Sequence, residues 1–109
     1  IFGCGGDRDK GKRSKMGLIA KKYADIVIVT DDNPRYEDAT KIRKEIIQNS
    51  NFFMEISNRK KAIKHGISKL EKKSVLLIAG KGHEKTQIIK GKIYNFDDVV
   101  VAKKLMKQI

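Results

Sequence analysis

A glycine-rich stretch near the start of the chain carries the first residues whose types and spacing could do chemistry. Residues 3–13 read GCGGDRDKGKR, and Gly6, Gly11 and Lys12 stand at the spacing of a phosphate-binding P-loop. Arg13 occupies the position where that pattern needs a Ser or Thr for magnesium, and two aspartates interrupt the loop. Three interpretations follow: a P-loop, a basic loop that reaches toward a ligand held partly elsewhere, or a glycine turn with solvated charges.

A second charged stretch comes directly after the β-branched run at residues 25–30. It reads Asp31-Asp32-Asn33-Pro34-Arg35. A strand that ends in aspartate is similar to the magnesium-holding strand of P-loop proteins, whereas an Asn-Pro pair is also an ordinary turn before a helix. A plain turn does not explain the arginine, because a guanidinium fork is suited to binding a carboxylate.

A third stretch, Ala79-Gly80-Lys81-Gly82-His83-Glu84, again places glycines and charges after an apolar run. The Glu84 carboxylate is suited to accept hydrogen bonds from an ammonium group. A lone histidine such as His83 is more often a structural hydrogen-bonding group than a catalyst. We call residues 3–15 the first loop, residues 31–37 the second loop and residues 79–87 the third loop.

Apolar runs of strand length alternate with segments of helical spacing along the chain. This pattern predicts an α/β fold with a Rossmann-like, open and mostly parallel sheet, flanking helices, and a C-terminal β-hairpin plus helix. The predicted strands are residues 1–4, 25–30, 52–56 and 74–79, and hairpin strands 87–89 and 92–94 around Lys90-Gly91. The runs at 25–30 and 74–79 are expected to be buried.

Four helices are predicted from apolar residues that recur every three or four positions. Their inward faces are Met16, Ile19, Ala20 and Tyr23; Ala39, Ile42 and Ile46; Ile63, Ile67 and Leu70; and Val101, Ala102, Leu105 and Ile109. Ser57 and Asp97 are the predicted N-caps of the last two helices. Because loops at the carboxyl ends of parallel strands meet at one edge, the three charged loops are expected to form one composite site.

Composition favours one globular domain over residues 1–109, without room for a second. The 25 Lys and Arg residues exceed the 13 Asp and Glu residues, giving a net charge of +12, which is also a property of nucleic-acid-binding modules. However, 20 of the 25 are lysines scattered along the chain, and 4 Phe, 3 Tyr and no Trp provide few stacking platforms. We therefore favour lysine as solvated surface charge and expect no nucleic-acid partner.

Three further features of the sequence concern membrane association, the cellular compartment and the length of the natural polypeptide. No apolar run approaches the roughly 20 residues of a membrane-spanning helix, so no membrane partner is expected. A single cysteine, Cys4, is compatible with a reducing cytoplasm, and we expect a cytoplasmic monomer. The chain begins at Ile1 with what reads as a buried strand, from which we expect a fragment of a longer polypeptide.

Taken in this order, the three loops resemble the C-terminal domain of the Mur ligases that add the third residue of the peptidoglycan stem peptide. The resemblance rests on Gly3 to Arg13, Asp32-Asn33-Pro34-Arg35 and Gly80-Lys81-Gly82-His83-Glu84, and it runs along the whole chain. It implies that ATP and Mg²⁺ bind mainly to a central domain and the substrate UDP-N-acetylmuramoyl-L-alanyl-D-glutamate to an N-terminal one, both absent from this chain. It also implies that this domain alone holds no cofactor, no metal and no catalytic residue.

The same resemblance assigns roles in binding meso-diaminopimelate. Arg8 would bind the proximal carboxylate. The Asp-Asn-Pro-Arg box, residues 32–35 with Pro34, would hold the distal end through Asp32, Asn33 and Arg35. The distal ammonium would be bound by the Gly80 carbonyl and Glu84. Relatives that add lysine lack the arginine. Lysine has no distal carboxylate, so it would leave a guanidinium unpaired at a cost of roughly 2 to 5 kcal/mol, and Arg35 is the expected selectivity residue.

Overall fold

Four extended segments lie side by side in parallel in this computed structural model, which describes residues 1–108. β1 (Ile28–Val29) pairs with β2 (Met54–Glu55), and Phe2 forms a parallel bridge with Val29 on the other side. Ile1 in turn bonds to residues 77 and 79, through its terminal amine to the Leu77 carbonyl (2.8 Å) and through its carbonyl to the Ala79 amide (2.9 Å). The order across the sheet is therefore 74–79, 1–4, 27–30, 54–56, and the predicted α/β class is confirmed.

Four helices cover the two faces of this sheet. They are α1 (Gly11–Tyr23), α2 (Ala39–Ile47), α3 (Arg59–Ser68) and α4 (Asp98–Met106). Helices α1 and α2 pack over a first core made of Phe2, Val27, Val29, Ile42, Ile46 and Ile47. Helices α3 and α4 pack over a second core, centred on Ile63, Ile67 and Leu105. The alternation of side chains along the central segments explains the two cores, since Phe2 faces one and Ile1 the other.

Side-chain caps fix where three of the helices begin. Asp97 accepts hydrogen bonds from the amides of Val99 and Val100, as predicted, and Asp38 caps α2. The N-cap of α3 is Asn58, whose side chain accepts from Lys61 N, so the prediction of Ser57 is wrong by one residue. Ser57 instead donates its hydroxyl to Asp31, because it lies where the sheet ends rather than where the helix begins.

The predicted hairpin is present as β3 (Thr86–Ile89) and β4 (Lys92–Asn95). Its turn residues Lys90 and Gly91 have φ of 49° and 77°, the left-handed values that a tight two-residue hairpin turn needs. The hairpin stands apart from the main sheet and attaches to the second loop, where Arg35 N donates to the Ile88 carbonyl (2.9 Å). The segment after the third loop therefore supports the second.

Helix α1 buries only part of its predicted face, since Met16 and Ala20 pack against the first core as predicted. Ile19 and Tyr23 are exposed, whereas Arg13 and Gly17 are buried. A Cβ on Gly17 would lie 2.2 Å from the Ile46 carbonyl oxygen, so the two helices touch through this glycine. Close approach at Gly17 and the ion pairs of Arg13, rather than apolar spacing, decide how α1 is rotated.

Residues 74–79 are buried on one side only, and the prediction of a buried strand is wrong in that respect. Leu76 and Ile78 pack into the second core, whereas Val75 is 91% exposed and Leu77 is also exposed. In the part of the chain that the structure describes, residues 74–79 are extended but do not form a regular strand. Their two hydrogen bonds with Ile1 nevertheless follow the pattern of a parallel sheet. Ile109, predicted to face inward from α4, lies outside the described residues.

Candidate functional site

The three charged loops meet at the carboxyl edge of the sheet. The chain leaves segment 1–4 toward β1 on one side, and segment 74–79 returns on the other, so the strand order reverses between them. In doubly wound sheets, ligands bind at such a reversal. A Cβ built on Gly80 would lie 3.4 Å from the Gly3 carbonyl oxygen and 3.6 Å from Asp32 Oδ2, which shows how closely the three loops converge.

Asn33 connects all three loops and is almost fully buried. Its side-chain Nδ2 donates to Glu84 Oε2 (3.1 Å) in the third loop, and its Oδ1 accepts from Ile88 N (2.9 Å). Its main-chain carbonyl accepts from Gly6 N (2.7 Å) in the first loop. Asn33 therefore orients the Glu84 carboxylate and fixes the distance between the loops.

Arg35 extends from the second loop toward the first. Its Nη1 donates to the carbonyls of Gly6 (2.8 Å) and Asn33 (3.3 Å), and its backbone φ is 54°. A left-handed conformation is uncommon for a residue other than glycine and needs support, which the hairpin bonds supply. Within residues 1–108, Nε and Nη2 make no hydrogen bond, so one edge of this half-buried guanidinium remains free for a carboxylate.

Asp32 lies beneath the meeting point of the loops. Burial raises the pKa of its carboxyl above the ordinary value, although the charges of Arg59 and Lys81 oppose that shift. Its Oδ1 is buried without a hydrogen bond, and Lys81 Nζ lies 3.7 Å away, too far for more than a charge interaction. A buried carboxylate in this state would gain from a cationic ligand group.

The remaining predicted residues of this edge differ in burial. Gly80, Glu84 and Arg8 are exposed, and Pro34 is buried beneath Gly6. Hydrogen bonds of Asn33 thus bring Arg35 and Glu84 together beside Asp32, and Gly80 lies close to Asp32. Arg8 follows the bonded backbone of the first loop, and within residues 1–108 its side chain makes neither a hydrogen bond nor an ion pair.

Sequence reasoning missed three buried arginines that hold the loops in place. Arg43 donates to Asp31 Oδ1 (2.5 Å) and Glu55 Oε2 (2.8 Å). Arg59 pairs with Asp98 through two 2.7 Å bonds and also donates to the main-chain carbonyls of Asp31 (3.1 Å) and Ala79 (3.2 Å).

The third of these arginines, Arg13, binds Glu37, Glu45 and the Gly5 carbonyl. A signal for all three existed in the sequence. Only 5 of the 25 basic residues are arginines, and the planar, forked guanidinium is the cation best suited to buried ion pairs. Arg8 and Arg35 are the two arginines left for a ligand.

The first loop does not have the features of a P-loop. Four of its backbone N–H groups are already bonded within the protein: Gly6 to Asn33 O, Asp7 to Glu37, Gly11 to Asp9, and Arg13 to Lys10 O. A P-loop needs its amides directed at phosphate. Residues 3–15 therefore do not fit an independent nucleotide site.

Residues 1–108 present neither a metal-ion cluster nor a membrane-spanning helix. No group of three His, Cys, Asp or Glu side chains there is placed to hold a metal ion. None of the helices in that range is both long and apolar enough to cross a membrane.

The fold and the site define an α/β domain that gathers three charged loops, of both signs, at the carboxyl edge of a parallel sheet. The family described as "Mur ligase, glutamate ligase domain" matches residues 1–82. The chain belongs to the Mur ligase family.

Similar proteins agree with this assignment. A UDP-N-acetylmuramoyl-L-alanyl-D-glutamate--2,6-diaminopimelate ligase of Rickettsia conorii is 55% identical, with 98% of this chain matching 23% of that protein. One of Zymomonas mobilis is 57% identical over 94% of this chain and 22% of the relative. A solved structure with the same ligase name superposes with a TM-score of 0.91 at 42% identity, over 98% of this chain and 23% of its own. The chain thus spans about a quarter of the length of these relatives.

Proposed function

We propose that this chain is the amino-acid-binding domain of an ATP-dependent ligase that joins meso-diaminopimelate to UDP-N-acetylmuramoyl-L-alanyl-D-glutamate. The names of the relatives support the reaction, and their length supports a longer protein in which other domains hold ATP, Mg²⁺ and the nucleotide-linked substrate. Peptidoglycan precursor synthesis would place that enzyme in the cytoplasm. This domain would supply the incoming amino acid.

The observation that carries the proposal is the arrangement of opposite charges around Asn33. Its carbonyl holds the Arg35 guanidinium, and its side-chain amide holds the Glu84 carboxylate. The distal end of meso-diaminopimelate carries one carboxylate and one ammonium, so the free edge of Arg35 would bind the first and Glu84, with the Gly80 carbonyl, the second. Asp32 would add a buried negative charge beneath the ammonium, and Arg8 would bind the proximal carboxylate.

The contribution to catalysis would be placement. A ligand held at both carboxylates and at its distal ammonium has one amine left. In the complete ligase that amine would attack the acyl phosphate that MgATP forms on the nucleotide-linked substrate, and inorganic phosphate would leave as the amide bond forms. Fixing that amine converts a bimolecular encounter into an effectively intramolecular step, worth several kcal/mol of barrier. In this assignment none of the domain's own residues acts as a nucleophile.

Arg35→Ala in the full-length ligase tests the proposal. Loss of the charged hydrogen bonds to the distal carboxylate should raise the KM for meso-diaminopimelate by about thirtyfold or more, equivalent to roughly 2 kcal/mol, and leave the KM for ATP unchanged. Lysine, which lacks that carboxylate, should be used comparably poorly by both forms.

The matched control is Lys41→Ala, which removes an exposed cation from α2 and should leave both constants unchanged. An equal rise of the ATP and diaminopimelate constants in Arg35→Ala would contradict the assigned role. So would a wild-type enzyme that accepts lysine as readily as meso-diaminopimelate.

A further inference from the structure

Glu37, at the end of the second loop, receives hydrogen bonds from the beginning of the first loop and of α1. Its Oε2 accepts from Asp7 N (2.5 Å) and from Arg13 Nη2 (2.8 Å). Lys10 Nζ lies 3.5 Å from its Oε1. The bond to Arg13, and next the bond to Asp7 N, lower the pKa of the Glu37 carboxyl to about 2, so it is ionised at neutral pH.

Arg13 makes this contact more than a surface ion pair. Its side chain is 1% exposed, and a buried guanidinium that loses a carboxylate partner keeps an uncompensated charge. Within the described residues its Nε makes no hydrogen bond, so the pairing of Arg13 rests on Nη1 and Nη2. Besides Glu37 it binds Glu45 Oε2 (2.5 Å) and the Gly5 carbonyl (3.0 Å). Glu37 and Arg13 together therefore hold both ends of the short backbone segment from residue 5 to residue 7.

The middle of that segment is held by the second loop. Gly6 N donates to Asn33 O (2.7 Å), and Gly6 O accepts from Arg35 Nη1 (2.8 Å). Asp7 has φ of 54°, a conformation that a residue other than glycine adopts at a cost and keeps only when its surroundings fix it. Four consecutive bonding groups, Gly5 O, Gly6 N, Gly6 O and Asp7 N, thus fix the backbone up to the residue before Arg8.

We propose that Glu37 is a positioning residue for amino-acid binding: by holding Asp7 N and Arg13, it presents the Arg8 guanidinium to the carboxylate of the incoming amino acid. The inference rests on the proposed function, since it takes Arg8 as a ligand-binding group. Arg8 has no partner of its own within residues 1–108, so the bonded backbone before it is what determines where its side chain starts.

A double-mutant cycle in the full-length ligase tests this role. Glu37→Gln should raise the KM for meso-diaminopimelate about tenfold, the loss of roughly one charged hydrogen bond, while the KM for ATP stays the same. Arg8→Ala should raise it as well. The double variant should match Arg8→Ala within about twofold, because without the Arg8 side chain there is nothing left for Glu37 to position.

If the fold increases in KM of the two single variants multiply in the double variant, the inference is overturned, because Glu37 then acts independently of Arg8. An unchanged KM for meso-diaminopimelate in Glu37→Gln, or a parallel rise of the ATP constant, would overturn it as well. A wild-type ligase that does not use meso-diaminopimelate would instead remove the proposed function, so the two failures are distinguishable.

Glu45→Gln is the matched control. Glu45 also pairs with Arg13, but its carboxylate contacts no backbone group of the first loop. This variant should keep the KM for meso-diaminopimelate within about twofold of the wild type. If it raises the constant as much as Glu37→Gln does, the effect comes from weakened Arg13 pairing, and the bond to Asp7 N has no positioning role.

Discussion

The second and third loops lie at the same edge of the sheet, but they are held in different ways. In the second loop, Asp32, Asn33 and Pro34 are buried, and Arg59 and Arg43 bind it from below. The third loop, by contrast, is exposed from Gly82 to Lys85. The buried Lys81 donates to the Thr86 carbonyl within the loop, and two bonds tie the loop to the second loop: Gln87 Nε2 to the Asp32 carbonyl (2.8 Å) and Asn33 to Glu84.

We call the buried second loop, together with Arg43, Arg59 and Asp98, the frame of the site. The exposed groups of the third loop are the ones that a ligand could reach. Substitutions in the second loop should disturb stability and binding together, because the same atoms serve both. Substitutions at the exposed end of the third loop should change binding alone.

The largest effect is expected where the frame joins the two loops. Asp98→Ala would leave the Arg59 guanidinium buried without its carboxylate, between the carbonyls of Asp31 and Ala79. The free energy of unfolding should fall by about 3–5 kcal/mol, as measured by chemical denaturation. Lys44→Ala, which breaks an ion pair whose lysine is 65% exposed, should cost less than about 1 kcal/mol. Similar losses in both variants would argue against a buried frame.

A smaller effect should distinguish the second loop from the third. Asn33→Ala removes the bond to Glu84 and leaves Ile88 N without its acceptor, so it should lower the free energy of unfolding by about 2 kcal/mol. It should also raise the KM of the full-length ligase for meso-diaminopimelate. Glu84→Gln should raise that KM while changing stability by less than about 0.5 kcal/mol. The separation of roles fails if Glu84→Gln destabilises the protein as much as Asn33→Ala does.

The smallest effect is a pH dependence at the end of the second loop. Because the Glu37 pKa falls from 4.5 in the unfolded chain to about 2 in the folded one, its contribution to stability is complete above pH 4.5 and is lost as pH falls toward 2. The difference in unfolding free energy between wild type and Glu37→Gln should therefore be constant near neutrality and shrink only in that acid window. Denaturation curves at several pH values measure it, and a difference that already vanishes near pH 6 would contradict the assignment.

Much of this edge of the sheet was predictable. Strand-length apolar runs ending in glycine, proline and charged residues place all three loops at carboxyl ends of strands, and the Lys90-Gly91 turn and the Asp97 cap follow from local chemistry. The predicted ligand residues of the second and third loops are brought together, although their roles in binding remain predictions. The face of α1 was only partly predictable from apolar spacing: Met16 and Ala20 pack inward as predicted, but Arg13 and Gly17 are buried in place of Ile19 and Tyr23.

The sequence by itself determined which loops carry charge and which side chains could recognise a zwitterion, because residue type and local turn preference act over a few positions. Only the tertiary structure decided which arginines are buried and which remain free for a ligand. A guanidinium is placed by carboxylates distant along the chain, as Arg59 is by Asp98 and Arg13 by Glu37 and Glu45. Such pairings depend on how helices pack across the sheet, and the spacing of residues along the chain does not predict that packing.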